Sequence, residues 1–226
     1  MKLDKRSEFI EEYPMFNVLN ESERAQLLRV VEYKVIPKFQ FVYKYGEPAE
    51  NIYFLIKGVV KSSVFSDDGK EIIKALYHPK AIFGELGLTG VPTRKEYIQT
   101  LKEEVHVYSI RIRDIKSLMA NNFRLTTEFM NFIGQRLTST ETKLESLVFK
   151  DARARIIYFI KESIKSHGRR VGFEMLLKHP LTHQDIANLT YTSRQTVTLV
   201  LNELKKSNLI NFNRGRILVR DMAGLV

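Results

Sequence analysis

The sequence predicts an α+β protein built from an antiparallel β-rich region, one long helix and a winged helix-turn-helix. Three observations predict it. From Val35 to Arg111, short β-prone runs such as NIYFLIK and YIQTLKEEVHVYSIR are cut by Gly and Pro at turn-like intervals, which suits an antiparallel sandwich or barrel rather than alternating βα units. Met130, Ile133, Leu137, Thr140, Leu144 and Leu147 are spaced 3, 4, 3, 4 and 3 residues apart, the a/d pattern of a coiled coil. Near the end, two helical segments flank the short break TYTS (190–193), and LINFNRGRILVRD follows them as two strands around a basic tip.

These parts give three regions, 1–114, 115–149 and 150–226. In the first, NESERAQLL opens a short helix with Asn20 as N-cap and Glu23 at capping-box spacing. The DDG at 67–69 lies between two strand-like runs and reads as a hairpin turn. No Gly-rich stretch ends in Gly-Lys-Ser/Thr, so no nucleotide-triphosphate loop is present. The second region is helical; its apolar seam, interrupted by the polar Thr140, suits a single helix packed within a monomer or a homodimer joined along this helix, and the homodimer is the expectation.

The third region carries a helix over 151–167, then one from Thr182 to Leu189 with Thr182 as N-cap and Asp185 at the third position. SRQTVTLVLNEL (193–204) forms the next helix. Ser193 is its N-cap, and Val197, Val200, Leu201 and Leu204 fall at i, i+3, i+4 and i+7 to make one apolar face. The opposite face carries Arg194, Gln195, Thr198, Leu199 and Asn202. A polar N-terminal face on the second helix of a tight helix-turn-helix is a DNA-reading surface, and the candidate contacts are Thr182, His183, Ser193, Arg194, Gln195, Thr196, Thr198 and Leu199, with Arg214 and Arg216 on the wing. His183 is read equally as a phosphate contact or as a surface residue.

Charge agrees with this division. The chain has a net charge of +10. Residues 150–226 hold 14 Lys/Arg against 6 Asp/Glu, a net of +8, and residues 1–149 hold 22 against 20, a net of +2. A basic excess confined to the helix-turn-helix region favours a polyanionic partner. There is no Cys, which excludes disulfides, Cys-ligated iron–sulfur clusters and thiol nucleophiles. MKLDKRSEFIEEYP has no apolar signal-peptide core and no apolar run reaches membrane-spanning length, so a cytoplasmic protein without membrane association is expected. The five His residues show no metal-ligand spacing and no carboxylate pair stands out, so neither an enzyme nor a metal site is expected.

The order of these parts resembles the Crp/Fnr family of bacterial transcription regulators. The resemblance rests on IYFLIKG (52–58), FGELGL (83–88), QRLTSTETKLESLVFKDARARI (135–156) and LTHQDIANLTYTSRQTV (181–197), and it covers nearly the whole chain. It implies that the first region is a β-roll, a jelly roll of the cyclic-nucleotide-binding kind that holds an effector, and that the long helix pairs two subunits. It places Gly84, Glu85 and Leu86 beside a bound cyclic nucleotide, with Glu85 accepting from the ribose hydroxyl. A Gly suits such a place because a Cβ would obstruct close approach of ligand to backbone.

The family's phosphate-binding element, Arg followed by Ser or Thr, is altered in TRKEYIQT (93–100). Arg94 or, in the neighbouring alignment, Lys95 supplies the cation, and the hydroxyl position becomes Lys95 or Glu96. A carboxylate at Glu96 is adverse to a phosphodiester unless Arg94 neutralises it. Thr140 matches an adenine-contacting residue, whereas Glu141 stands where a Ser is usual. The resemblance therefore implies a small-molecule effector of unknown identity, with cyclic AMP disfavoured.

In the DNA-reading helix, Arg194 matches a residue that contacts guanine or a nearby phosphate. Gln195 stands where Glu usually accepts from cytosine, and Leu199 where the cyclic-AMP receptor uses Arg. Tyr191 replaces a turn residue that is commonly Gly, which implies positive φ at some cost in stability. A regulator of this type implies double-stranded DNA with a near-palindromic site and RNA polymerase as partners. Two other readings are a cyclic-nucleotide-responsive sensor acting through protein partners, which the DNA-binding features oppose, and an effector-independent, constitutive regulator, which stays open.

Overall fold

The computed structural model describes residues 4–225. Residues 1–3, which open the stretch read above for an export signal, and Val226, which closes the third region, lie outside the described residues. Contacts divide the chain into two units, one of Met1–Val64 with Lys74–Thr138 and the other of Phe65–Ile73 with Ser139–Val226.

The first unit begins with α1 (Asp4–Glu12), a 3₁₀ turn (Pro14–Val18) and α2 (Glu21–Val30). Asn20 caps α2 through the predicted capping box, its side chain accepting from Glu23 N while the Glu23 carboxylate accepts from Asn20 N. The strands follow as β1 (Glu32–Ile36), β2 (Phe41–Tyr43), β3 (Asn51–Lys57), β4 (Val60–Phe65), β5 (Glu71–Tyr77), β6 (Ile82–Phe83), β7 (Tyr97–Thr100) and β8 (Val105–Arg111). They form two four-stranded sheets, in the orders β1-β8-β3-β6 and β2-β7-β4-β5. Within them β8 pairs antiparallel with both β1 and β3, and β7 with both β2 and β4.

Side-chain alternation along β3 explains why NIYFLIK is apolar throughout. Tyr53 and Leu55 enter one core with Tyr43, Val60, Phe83, Ile98 and Val107. Ile52 and Phe54 point the other way, into a second core with Phe9 and Phe16 of the amino-terminal segment and Ile115 and Phe129 beyond the strands. A strand covered on both faces has no solvated side on which to place polar residues. The rings of Phe9, Tyr13 and Phe16 each lie 5.0–5.5 Å from that of Phe54, so the second core is largely aromatic.

Two helices follow the strands, α3 (Ile112–Asn121) and α4 (Phe123–Phe149). The sequence suggests one helical region starting near Ile115; helix instead begins at Ile112 and breaks at Asn122. Asn122 adopts an extended backbone, its Oδ1 accepts from Leu125 N at 3.0 Å, and its Nδ2 donates to Glu23 Oε2 at 2.9 Å. The side chain thus starts α4 and ties it to α2.

In the second unit α5 (Ala152–His167) is followed by β9 (Arg169–Val171), β10 (Glu174–Lys178), α6 (His183–Thr190), α7 (Arg194–Lys206), β11 (Ile210–Asn213) and β12 (Arg216–Val219). The strands form one sheet in the order β11-β12-β10-β9. The β9–β10 pair is absent from the sequence reading, which assigns nothing between the helix ending at 167 and Thr182. Val197, Val200, Leu201 and Leu204 of α7 are all buried, as are Ile156, Ile160 and Ile164 of α5 and Ile186 of α6. The unit also takes in Phe65–Ile73, the turn before β5 with the first residues of that strand, and Glu71 Oε2 accepts from the buried Asn188 Nδ2 of α6 at 3.0 Å. No helix among the described residues is long and apolar enough to cross a membrane.

Candidate functional site

The segment Phe83-Gly84-Glu85-Leu86 turns out of β6 because Gly84 takes φ 81°, a left-handed value that a side chain rarely adopts. Space enforces the same choice, since a Cβ at Gly84 would lie 2.8 Å from Arg94 Nη1 and 3.0 Å from Asn51 O. The turn aims the Gly84 carbonyl at Arg94, whose Nη1 donates to it at 3.1 Å while Nη2 donates to Asn51 O at 2.6 Å. The guanidinium also stacks over the ring of Tyr43, 4.1 Å from its centroid. Arg94, one of two alternatives for binding a phosphate, is therefore buried and engaged with the chain itself. Its Nε is buried without a hydrogen-bond partner. The adjoining cavity, lined by Tyr43, Ala49, Gly84, Arg94, Lys95 and Glu96 among others, measures about 10 Å³, room for about one water.

Glu96 is also buried, and three side chains donate to it. Tyr43 OH reaches Oε1 at 3.1 Å, and Ser62 Oγ and Lys74 Nζ reach Oε2 at 2.6 and 3.0 Å. Burial drives this carboxyl toward its neutral form, but the Lys74 charge and the three donors outweigh burial and hold it below the usual range. Tyr43 is shifted the other way, its phenol held well above the ordinary value by burial and then by the Glu96 charge. Arg94 does not pair with Glu96; the neutralising cation is Lys74. Lys95, the other candidate, is exposed.

Glu85 is occupied as well. Its Oε1 lies 3.2 Å from Arg136 Nε of α4, and Arg136 also donates to Tyr77 OH. Burial pushes the Glu85 carboxyl up, against the Arg136 charge. Leu86 is partly exposed, and Thr140 and Glu141 are exposed on α4 in the second unit. Sequence reasoning selected Gly84, Glu85, Arg94 and Glu96 but missed Tyr43, Ser62, Lys74, Tyr77 and Arg136. Those five lie on β2, β4, β5 and α4, far apart in the chain, and no local spacing marks them.

In the helix-turn-helix, Thr182 caps α6 with the predicted capping box to Asp185, and Ser193 caps α7 by accepting from Thr196 N at 3.0 Å. The break is three residues, one shorter than TYTS, because Thr190 stays helical with its hydroxyl donating to Ile186 O at 2.7 Å. Tyr191 takes φ 54°, ψ 48°, the strained left-handed turn expected for it. Arg155 of α5 steadies that turn by donating to Thr190 O at 2.9 Å and Tyr191 O at 3.1 Å.

On α7, Arg194, Gln195 and Leu199 are exposed together on the N-terminal face. Thr196 and Thr198 are half-buried, and their hydroxyls are engaged internally. Thr196 Oγ1 pairs with Ser193 Oγ, and Thr198 Oγ1 lies 3.0 Å from both Arg194 O and His183 Nδ1. Burial and then the Arg194 charge lower the His183 pKa, so its neutral form is favoured at this spot. Arg214 and Arg216 are exposed at the wing turn. Among the described residues, no group of three or more His, Asp or Glu is arranged to hold a metal ion.

A two-sheet roll, a long helix and a winged helix-turn-helix define a class of DNA-binding transcription regulator. Residues 33–122 match the cyclic nucleotide-binding domain, and residues 154–226 match the Crp-like helix-turn-helix domain. The global nitrogen regulator of Nostoc sp. is 30% identical over 175 residues, 77% of this chain and 78% of its own. The CRP-like cAMP-activated global transcriptional regulator of Mycobacterium tuberculosis is 26% identical over 207 residues, 92% of each chain. The structure of FixK2 from Bradyrhizobium japonicum superposes with a TM-score of 0.77 at 21% identity, covering 87% of this chain and 96% of that one. The chain belongs to the Crp/Fnr family of transcription regulators.

Proposed function

We propose that this protein acts as a cytoplasmic homodimer that binds a near-palindromic DNA site through α7 and engages RNA polymerase, with DNA affinity set by the state of the β-roll. The observation that carries the DNA-binding part is the joint exposure of Arg194, Gln195 and Leu199 at the N-terminus of a capped helix whose opposite face is buried. Arg194 suits a guanine edge and Gln195 an adenine edge, while Arg214 and Arg216 suit phosphates. Thr182, His183 and Ser193 lie at the helix starts, where backbone N–H groups and polar side chains serve phosphates. Dimerisation rests on Met130, Leu137 and Leu144, which recur every seven residues on α4 and are each at least 60% exposed. Such a stripe is stable in water when a second copy covers it. Selection from a random DNA library tests the reading: a two-fold symmetric motif is expected, and the absence of any enriched sequence defeats it.

The bonding around Arg94 and Glu96 favours an effector-independent form of this regulator over a cyclic-nucleotide-responsive one. Arg94 donates to the carbonyls of Gly84 and Asn51, and Glu96 already takes the donors of Tyr43, Ser62 and Lys74.

A further inference from the structure

One carboxylate gathers a donor from every other strand of its sheet. Glu96 stands immediately before β7, and its three donors come from β2 (Tyr43), β4 (Ser62) and β5 (Lys74). The sheet order is β2-β7-β4-β5, so the contacts span its full width. A cation, a hydroxyl and a phenol converging on one point form an oxoanion site, the arrangement that would hold a phosphate or carboxylate of a ligand. Here the chain fills that site itself.

We infer that Glu96 is a built-in anion that replaces an effector, drawing the strands of the β-roll together so that DNA binding needs no ligand. The inference rests on the regulator reading above and gives Glu96 a specificity role within it. Three further observations agree. The Glu85 carboxylate, an alternative ligand contact, is closed by Arg136 at 3.2 Å. Arg94 is spent on the carbonyls of Gly84 and Asn51. A second anion entering beside Glu96 would meet like charge in a site with room for about one water. Charge opposes a cyclic nucleotide at this point, and the donors of Tyr43, Ser62 and Lys74 that face it are already engaged by Glu96.

The test replaces the internal anion with an external one. Wild-type protein should bind its selected DNA with a dissociation constant that changes less than twofold on adding 1 mM cyclic AMP or cyclic GMP. A tenfold tightening would overturn the inference. Glu96→Ser leaves Lys74, Ser62 and Tyr43 facing an emptied site. Its DNA affinity should fall about tenfold, and inorganic phosphate should restore it at matched ionic strength, without doing so for the wild type. A folded Glu96→Ser protein with unaltered DNA affinity, or one that phosphate does not rescue, would also overturn it. If the serine variant does not fold, the near-isosteric Glu96→Gln decides: a tenfold loss of DNA affinity supports the inference and none refutes it. Calorimetry of wild type with cyclic AMP is independent of DNA, so it reads the inference even if library selection fails and the regulator reading falls. Heat of binding there with a submicromolar constant would defeat it.

Discussion

Lys74 Nζ lies 3.0 Å from Glu96 Oε2, joining β5 to the residue just before β7 across the width of β4 between them. The carboxylate is buried and the ammonium is half-exposed. This pair has the cost of a buried charge on one side only, and Ser62 and Tyr43 offset that cost with two further hydrogen bonds. Glu96 is an anion that the fold accommodates, and removing its partners should be more damaging than removing it.

Lys74→Met should therefore destabilise the first unit more than Glu96→Gln does, because it leaves a buried carboxylate without its cation. A difference of about 1–3 kcal/mol in unfolding free energy is expected, measured by urea denaturation. Equal or reversed effects would show that the Lys74 contact is a surface pair of little consequence.

Glu96 also predicts a pH dependence. Its folded-state pKa lies below the ordinary 4.5, so the folded state holds the proton less tightly than the unfolded chain. Its stabilising contribution is complete above pH 4.5 and is lost as pH falls through the lower folded value. The gap in melting temperature between wild type and Glu96→Gln should hold from pH 7 to pH 5 and narrow below pH 4.5. A gap that widens on acidification would mean that burial, not Lys74, governs this carboxyl.

The helix-turn-helix was legible in the sequence because its signals are local. N-caps, capping boxes and the i, i+3, i+4, i+7 stripe are read within one or two turns, and Asn20, Thr182 and Ser193 all cap as their spacing suggests. The β-roll pocket was legible only in part. Gly84 declares itself through a turn that needs positive φ, and Glu96 through its departure from the expected hydroxyl. Lys74, Ser62, Tyr43 and Arg136 owe their roles to sheet register and to a helix returning after the strands, so the sequence alone suggested Arg94 as the neutralising cation. The break at Asn122 was hidden for a related reason, since its side chain is fixed by Glu23, 99 residues away.

Arg155 predicts a stability effect in the DNA-reading unit. Its guanidinium donates to Lys150 O, Thr190 O and Tyr191 O, joining the start of α5 to the strained turn before α7. Arg155→Ala should cost ~2 kcal/mol, the scale of lost hydrogen bonds from a charged group, and should weaken DNA binding by freeing that turn. Arg155→Lys should recover little, because one ammonium cannot span three carbonyls as the planar fork does. Chemical denaturation and DNA titration of both variants are the measurements, and full recovery by Lys would contradict the forked geometry.

The exposed stripe on α4 predicts association. Wild type should sediment near twice the 26.4 kDa chain mass at micromolar concentration. Leu137→Glu places a charge midway between Met130 and Leu144, on the exposed seam. That protein should sediment as a monomer while keeping the secondary structure of the wild type, since Leu137 packs into neither core. A wild-type monomer, or a variant that still dimerises, would move the interface elsewhere.

The reading face of α7 predicts which bases are selected. In a two-fold dimer the two recognition helices enter successive major grooves, so half-site centres should lie about one helical turn, roughly 34 Å, apart. Arg194 and Gln195 are free to face bases, whereas Thr196 and Thr198 are held by Ser193 and His183. Base readout should thus come from Arg194, Gln195 and Leu199. A Gln side chain suits adenine, through N6 and N7, and Leu199 offers only apolar contact, as to a thymine methyl. The half-site should accordingly be rich in A·T apart from one guanine, the base expected opposite Arg194. Gln195→Ala should relax one position of the motif and cost about 1–3 kcal/mol on the best site. Arg214→Ala on the wing should weaken all sequences alike and reduce the salt dependence of binding, as expected for a phosphate contact. His183→Ala removes one of the two partners of the Thr198 hydroxyl, leaving its bond to Arg194 O, and should alter selection less than Gln195→Ala does. If library selection with Gln195→Ala returns the wild-type motif unchanged, another face of α7 reads the DNA.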